Sequence, residues 1–299
     1  MMFKSGFIGI IGRPNVGKST FFNAIIGDKI SIVADKPQTT RNKITGIKNY
    51  DDAQLIFLDT PGMHRPKTPL NRAMVQAAVE TIADADLLIV LTEANIDTHP
   101  HDLFLFESLE RVTAPVFLAI NKIDLVERQK LLPIIDKFSK IYNFKEIFPV
   151  SALKKKGIDE LLETVKDILP QGPRYFPADI LTDATERFIA AEFIRERITI
   201  LTKQEIPYSS AVTVDLFKEN EEKNIIHITA TINVEKESQK AIMIGKKGSM
   251  LKTIGTQSRL QMEKLFGAKV FLELFVRVSK DWTSSGRMLR EMGIKKSPS

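Results

Sequence analysis

The sequence predicts an α/β domain with a mainly parallel sheet, followed by a smaller α+β domain. Three observations predict it. Short apolar runs alternate with helix-period segments through the first 170 residues. A stretch with three prolines and a glycine, "LPQGPRYFPAD" at residues 169–179, interrupts that rhythm. Beyond it the order becomes helix, strand, strand, helix, helix, strand. Strands that alternate with helices need crossover connections, which make a parallel sheet with helices on both faces.

The elements follow in order. Apolar runs at residues 7–11, 54–58, 87–91, 116–120 and 147–150 are read as strands. Helix-period segments at 20–26, 70–83, 102–111, 129–142 and 158–168 lie between and after them. Prolines end helices and fit a connector at the break. Residues 183–202 then read as a long helix, with Asp183 as N-cap and Glu186 completing a capping box. Residues 212–217 and 225–234 alternate with period two, as in Ile226, Ile228, Ala230, Ile232 and Val234. Helices at 238–244 and 249–266 are hinged at Gly245-Lys246-Lys247-Gly248, and a last strand spans 270–278. The domains predicted are therefore 1–170 and 183–299, joined by a linker at 171–182.

Bulk properties narrow the classes of function. The 299 residues suffice for two cores, and 43% apolar with 27% charged residues is ordinary globular composition. Cysteine is absent, which excludes disulfides and thiolate metal sites and suits a reducing, cytoplasmic setting. The N-terminal apolar run is too short for a signal peptide, and no run reaches the ~18 residues of a membrane span. The net charge of +6 is uneven: residues 239–299 carry 13 basic and 4 acidic side chains, +9, and the rest of the chain is at −3. A concentrated cationic end points to nucleic acid, or to an anionic membrane face.

The chemistry begins at "GRPNVGKST". Gly12 and Gly17-Lys18-Ser19 have the phosphate-loop spacing, after a strand and opening a helix. Backbone N–H groups of Asn15, Val16, Gly17 and Thr20 can turn toward phosphates at the positive end of that helix. Lys18 is expected at the β- and γ-phosphates, and the Ser19 hydroxyl on Mg²⁺. "LIFLDTPG" places Asp59 at a strand end, where its carboxylate can hold Mg²⁺. The Gly62 N–H can approach a γ-phosphate. "KPQTTRNK", residues 36–43, is read as a switch segment held by Mg²⁺ and γ-phosphate, through Thr40 or alternatively Thr39.

"AINKIDL" selects the base. The Asp124 carboxylate can accept from guanine N1–H and the 2-amino group. Adenine lacks that amino group, and its N1 is an acceptor, so it would leave a buried charge unpaired. Asn121 braces the site and Lys122 can cover the purine face. In "VSALKKKG", Ser151 and the Ala152 N–H are placed for the base edge and its O6. The nucleotide predicted is GTP.

Together "GRPNVGKST", "QTTR", "DTPG", "NKID" and "SA" resemble the Era branch of the translation-factor-like GTPases. The resemblance runs almost end to end. The second order of elements is similar to the type II KH fold, with Gly245-Lys246-Lys247-Gly248 at its Gly-x-x-Gly loop, and "DWTSSGRMLREMG" looks like the family's Trp-plus-helix ending. The fold class implied is a P-loop GTPase domain followed by an α+β type II KH domain. KH loops hold about four nucleotides of single strand, so the GKKG loop is a clamp on RNA rather than a second nucleotide cradle. By resemblance the partners are GTP and GDP, the 3′ region of small-subunit ribosomal RNA and the 30S-type subunit. The implied activity is Mg²⁺-dependent GTP hydrolysis by a monomer that assists subunit assembly. Catalysis is assigned to Lys18, Thr40 and Gly62. Asn15, by its position in similar GTPases, would help hold K⁺ beside the phosphates. Met63 departs from the Ras-type pattern, where a glutamine orients the attacking water.

Other residues read plainly. His99 and His101 suit a solvated loop, Met243, Met250 and Met262 a core, Lys154–Lys156 a solvated turn, and Phe271 and Phe275 a core rather than base stacking. Two rival functions are an RNA-binding scaffold with a vestigial nucleotide site, and a GTPase using its basic end peripherally at the inner membrane face. Intact Lys18, Ser19, Asp59 and Asp124 oppose the first, and RNA competition against liposomes discriminates the second.

Overall fold

In the computed structural model, which describes residues 2–36, 39–94 and 100–294, the chain forms two compact units. One comprises Met1–Ser31, Thr40–Lys67 and Met74–Asp183. The other comprises Ile32–Thr39, Thr68–Ala73 and Ala184–Ser299. His99 lies outside the described residues.

The first unit is a six-stranded sheet of β1 (Lys4–Gly12), β2 (Ile44–Asn49), β3 (Ala53–Asp59), β4 (Leu87–Glu93), β5 (Val116–Asn121) and β6 (Glu146–Pro149). Its order is β2-β3-β1-β4-β5-β6, parallel except for β2, which runs antiparallel to β3. The helices are α1 (Lys18–Ile26), α2 (Pro69–Asp84), α3 (Pro100–Ser108), α4 (Leu131–Ser139) and α5 (Ile158–Ile168). The central strands are buried on both faces, which is why they read as unbroken apolar runs. Strand order reverses at β1, between β3 and β4, and ligands of such sheets bind beyond the strand ends at that reversal.

Sequence periodicity misses β2. "ITGIKN" is short, carries few apolar residues and lies at the edge. The predicted linker is not loose chain. The Ile47 N–H donates to the Leu181 carbonyl at 2.8 Å, and Thr182 Oγ1 to the Thr45 carbonyl at 2.6 Å. The buried Gln54 amide donates to the Phe176 carbonyl and accepts from the Tyr175 and Phe176 N–H groups. The prolines keep this segment extended, and the first unit supplies its hydrogen-bond partners.

The second unit holds α6 (Glu186–Leu201), α7 (Ile206–Ser209), β7 (Ala211–Asn220), β8 (Ile225–Val234), α8 (Glu237–Ile244), α9 (Ser249–Phe266), β9 (Lys269–Val278) and α10 (Gly286–Glu291). β8 is central, antiparallel to β7 and parallel to β9. Phe193, Ile194 and Ile198 of α6 meet Ile228, Ala230 and Ile232 of β8, together with Met243, Ile254 and Met262. Met250 is half-buried against this core, as its spacing predicts. Trp282 is fully buried and its indole N–H donates to the Ser209 carbonyl at 3.0 Å.

Two expectations are overturned here. The N-cap of α6 is Thr185, not Asp183: Thr185 is the last extended residue, and its hydroxyl accepts from the Phe188 N–H. Glu186 is then the first helical residue and completes no capping box. Phe271 and Phe275 are not core, being 53% and 54% exposed. One residue set of β9 is wholly apolar and the other sets Phe271 and Phe275 among Lys269, Glu273 and Arg277; the helices cover only the face bearing Leu272, Leu274 and Val276.

Residues Ile32–Thr39 pack within the second unit. Ile32 joins its core, the Val33 N–H donates to Glu196 Oε1 at 2.8 Å, and Lys36 Nζ donates to the Thr199 and Thr202 carbonyls at the end of α6. Arg195, paired with Glu192, donates to the Thr39 carbonyl.

Candidate nucleotide site and nucleic-acid interface

The first site lies at the carboxyl ends of β1, β3, β4 and β5. β1 ends at Gly12, the loop turns through Asn15 (φ 67°) and Gly17 (φ 96°), and α1 begins at Lys18. Gly17 is required twice over. Its φ is left-handed, and a Cβ there would stand 2.5 Å from the Asn121 amide nitrogen. The first intrahelical bond joins the Phe21 N–H to the Gly17 carbonyl, so the N–H groups of Lys18, Ser19 and Thr20 lack helical acceptors. They form an anion site.

Lys18 is buried, with Nζ 3.0 Å from the carbonyls of both Gly12 and Arg13. Burial lowers its ammonium to about 8, against the pull of Asp59 and with some help from Arg13. Asp59 is fully buried. Burial pushes its carboxyl above the ordinary range, against hydrogen bonds from Ser31, Ser19 and Thr40 and the charge of Lys18. Its Oδ2 receives Ser19 Oγ at 2.9 Å and Ser31 Oγ at 2.7 Å. Ser19 Oγ and Thr40 Oγ1 are 2.7 Å apart. Oδ1 of Asp59 is buried with no hydrogen-bond partner. Two hydroxyls beside a carboxylate with an unsatisfied oxygen fit a hard, oxygen-seeking cation such as Mg²⁺. Of the two switch threonines, Thr40 stands in this cluster, whereas the Thr39 hydroxyl is taken up by the Ala34 and Lys36 carbonyls.

Gly62 lies hard against the loop, since a Cβ there would meet Pro14 at 2.8 Å. The Met63 N–H donates to the Gly12 carbonyl at 3.0 Å, and its side chain is buried among Ile11 and Val90. Met63 serves the core and offers nothing to a water.

On the base side, Asn121 Nδ2 donates to the Val16 carbonyl at 2.8 Å, and its Oδ1 accepts from the Ala152 N–H at 2.9 Å. The sequence places that N–H at the base edge; in the structure it braces Asn121. Ser151 is buried and its hydroxyl donates to Asp124 Oδ1. Asp124 itself is exposed, so the desolvation that punishes a wrong base must come from the base as it docks. Lys122 Nζ donates to the Asn15 carbonyl at 3.0 Å and pairs with Glu93.

Sequence reasoning missed Ser31, Glu93 and Arg13. Glu93 ends β4 directly beside Asn121 and receives both Arg13 and Lys122, joining the phosphate loop to the base loop. Burial opposes its ionisation, but hydrogen bonds from Lys122 and Arg13 outweigh it and hold the carboxyl low. A carboxylate at a third strand end was the one available signal.

The second unit presents the other candidate surface. Gly245 (φ 73°) and Gly248 (φ 80°) bracket exposed Lys246 and Lys247 between α8 and α9. A Cβ on Gly245 would meet Met250 at 2.7 Å, so the loop depends on that glycine. A groove runs from the loop between α9 and β9, lined by Gly248, Leu251, Lys252, Arg259, Leu272 and Leu274. Apolar floor, basic rim and glycine loop make this the candidate surface for a single strand of nucleic acid.

A phosphate-loop domain followed by a KH unit defines a class of RNA-associated GTPases. The sequence matches the family described as 50S ribosome-binding GTPase over residues 7–122 and the KH domain family over residues 205–283. It is 59% identical to GTPase Era of Syntrophus aciditrophicus (strain SB), over 98% of this chain and 96% of that one, and 54% identical to GTPase Era of Geobacter metallireducens, over 97% and 98%. The chain therefore belongs to the Era family of GTPases. Two solved structures are similar throughout, each with a TM-score of 0.95 and 39% identity, over 98% of this chain and 100% of the other. One is Era in complex with MgGDPNP and nucleotides 1506–1542 of 16S ribosomal RNA; the other is a point variant of Aquifex aeolicus Era bound to GDP·AlF₄⁻.

Proposed function

We propose that this GTPase binds the 3′ region of small-subunit ribosomal RNA through its KH unit and assists small-subunit assembly, with RNA binding set by the GTP or GDP state. The observation that carries this is the pairing, in one chain, of a guanine site built on Asn121, Asp124 and Ser151 and a glycine-lysine loop opening on a groove. The Era structure with 16S ribosomal RNA nucleotides supports the choice of RNA. Lys18, Ser19 and the first N–H groups of α1 hold the phosphates, and Asp124 with Ser151 reads the guanine. Ser19, Thr40 and Asp59 hold Mg²⁺, which when bound offsets the charge of the phosphates. Met63 cannot orient water, so Lys18 and the Gly62 N–H supply the positive field for GTP hydrolysis; Asn15 would hold a K⁺ ion, which when bound would add positive charge beside the phosphates. The protein acts in the cytoplasm as a monomer.

RNA crosslinking and sequencing, with and without a non-hydrolysable GTP analogue, tests the proposal. Crosslinks should concentrate in the 3′ region of small-subunit ribosomal RNA and change in yield with nucleotide. Scattered crosslinks unaffected by nucleotide would reject it. Loss of liposome binding when that RNA is added would assign the basic end to RNA rather than to an anionic membrane face.

A further inference from the structure

The outer face of the second unit's sheet carries exposed aromatic rings that neither the guanine site nor the lysine loop uses. Along β9 that face reads Lys269, Phe271, Glu273, Phe275, Arg277, all exposed. The neighbouring strand places His227 beside Phe271 and Thr231 beside Phe275, with the His227 and Phe271 rings 5.4 Å apart. A shallow cavity next to Phe275 is lined by Thr229, Thr231, Lys240 and Arg277, and also by Asp215 and Glu237. Asp215 is already engaged by the Thr231 hydroxyl at 2.6 Å.

We propose that this face is a second RNA contact, on which two unpaired bases stack, one on Phe271 and one on Phe275, with Lys269 and Arg277 meeting the flanking phosphates. The inference rests on the reading of the second unit as RNA-binding. Three observations carry it further. The first is continuity: the groove behind the lysine loop is walled by Leu272 and Leu274, and Phe271 and Phe275 are on the other face of the same strand. β9 is an edge strand, so a single strand leaving the groove across that edge lands on the two rings. The second is that a cation flanks each ring along the strand, Lys269 before Phe271 and Arg277 after Phe275, since stacking on rings beside basic side chains is how sheets hold single strands. The third is spacing. Four strand residues span about 13 Å, with Glu273 and its cross-strand partner Thr229 between the rings. That separates the rings too widely for one base. It also breaks up the contiguous apolar centre that a protein partner's interface core would use.

The test uses the full-length protein and a synthetic RNA of 16S nucleotides 1506–1542. Both rings are half exposed, so Phe271→Ala with Phe275→Ala should keep the circular dichroism spectrum and the GTP hydrolysis rate of the wild type. RNA affinity should fall roughly five- to hundredfold per ring lost. The salt slope of binding should not change, because no phosphate contact is removed. Phe→Tyr at both positions should keep affinity, and Phe→Leu should not. Lys269→Ala with Arg277→Ala should instead lower the salt slope by about 1.4. An Ala pair that binds like wild type, or a Leu pair that restores binding, overturns the inference. So does an Ala pair that binds RNA normally but loses the isolated small subunit, which would give the face to a protein. If wild type binds, the Lys246→Asp, Lys247→Asp protein does not, and the Ala pair does, only this inference fails. If wild type itself does not bind the RNA, the underlying reading fails with it.

Discussion

At the residue scale, two charged side chains have sharply testable roles. Asp124→Asn replaces one acceptor oxygen with a donor that opposes guanine N1–H. GTP affinity should fall, and xanthosine triphosphate, with a carbonyl at position 2, should bind better. Competition binding that leaves GTP preferred as before would remove Asp124 from base selection. Lys18 is the second. Its buried ammonium titrates near 8 in the free protein, against 10.5 for an ordinary lysine. Between those values the unfolded chain holds a proton that the folded one has lost. Stability of the free protein therefore gains from this group as pH rises through that window. Phosphates set against Nζ would raise its pKa. Binding GDP at about pH 8 should then take up protons from buffer, measurable by calorimetry in two buffers of different ionisation heat. Equal observed enthalpies in the two buffers, or uptake that persists in Lys18→Gln, would show that Lys18 does not face the phosphates. The residues legible in the sequence were those whose spacing is fixed by one turn, as in Gly17-Lys18-Ser19. Ser31 and Glu93 were not legible, because Ser31 reaches Asp59 through a loop after α1 that Asn23 holds, and Glu93 reaches Lys122 through the order of strands in the sheet.

At the scale of elements, buried parallel strands were readable because both faces are apolar. Edge strands misled for opposite reasons. β2 has too few apolar residues to signal a strand, and β9 has more than its one covered face can bury. Two predictions belong here. The phosphate loop lacks help from a glutamine, with Met63 withdrawn into the core. Turnover should be slow, within a few powers of ten of the ~10⁻⁴ s⁻¹ intrinsic Ras-type rate. If K⁺ supplies the missing positive charge, hydrolysis should be faster in K⁺ than in Na⁺, and Asn15→Ala should abolish the difference. Equal rates in both salts would remove the ion from the mechanism while leaving the GTPase in place. The other prediction concerns the segment after β9. Trp282 is fully buried and its indole N–H donates to the Ser209 carbonyl. Trp282→Ala should cost the second unit about 3–5 kcal/mol. Trp282→Phe should cost less, since it forfeits the hydrogen bond but keeps most of the packing. Denaturant melts with both variants near wild type would mean that the tail is not part of the fold's core.

At the scale of the whole molecule, the two chemistries have separate machinery, and the charge map already divides them. The phosphate loop, metal cluster and base loop all belong to the first unit, in a part of the chain at −3, whereas Lys246 and Lys247 stand in the +9 segment. The lysines are exposed at the turn between α8 and α9, so changing both to Asp removes no buried contact. It replaces two attractions for phosphate with two repulsions at the mouth of the groove. RNA affinity should collapse, while GTP hydrolysis without RNA stays at the wild-type rate. Lys246→Ala with Lys247→Ala is the gentler form. If each lysine meets one phosphate of a single strand, the slope of log affinity against log salt should fall by about 1.4. A folded double-Asp protein that binds the RNA as tightly as wild type would place the clamp in a different loop. A fall in hydrolysis in step with RNA binding would show that the two machineries are not separable.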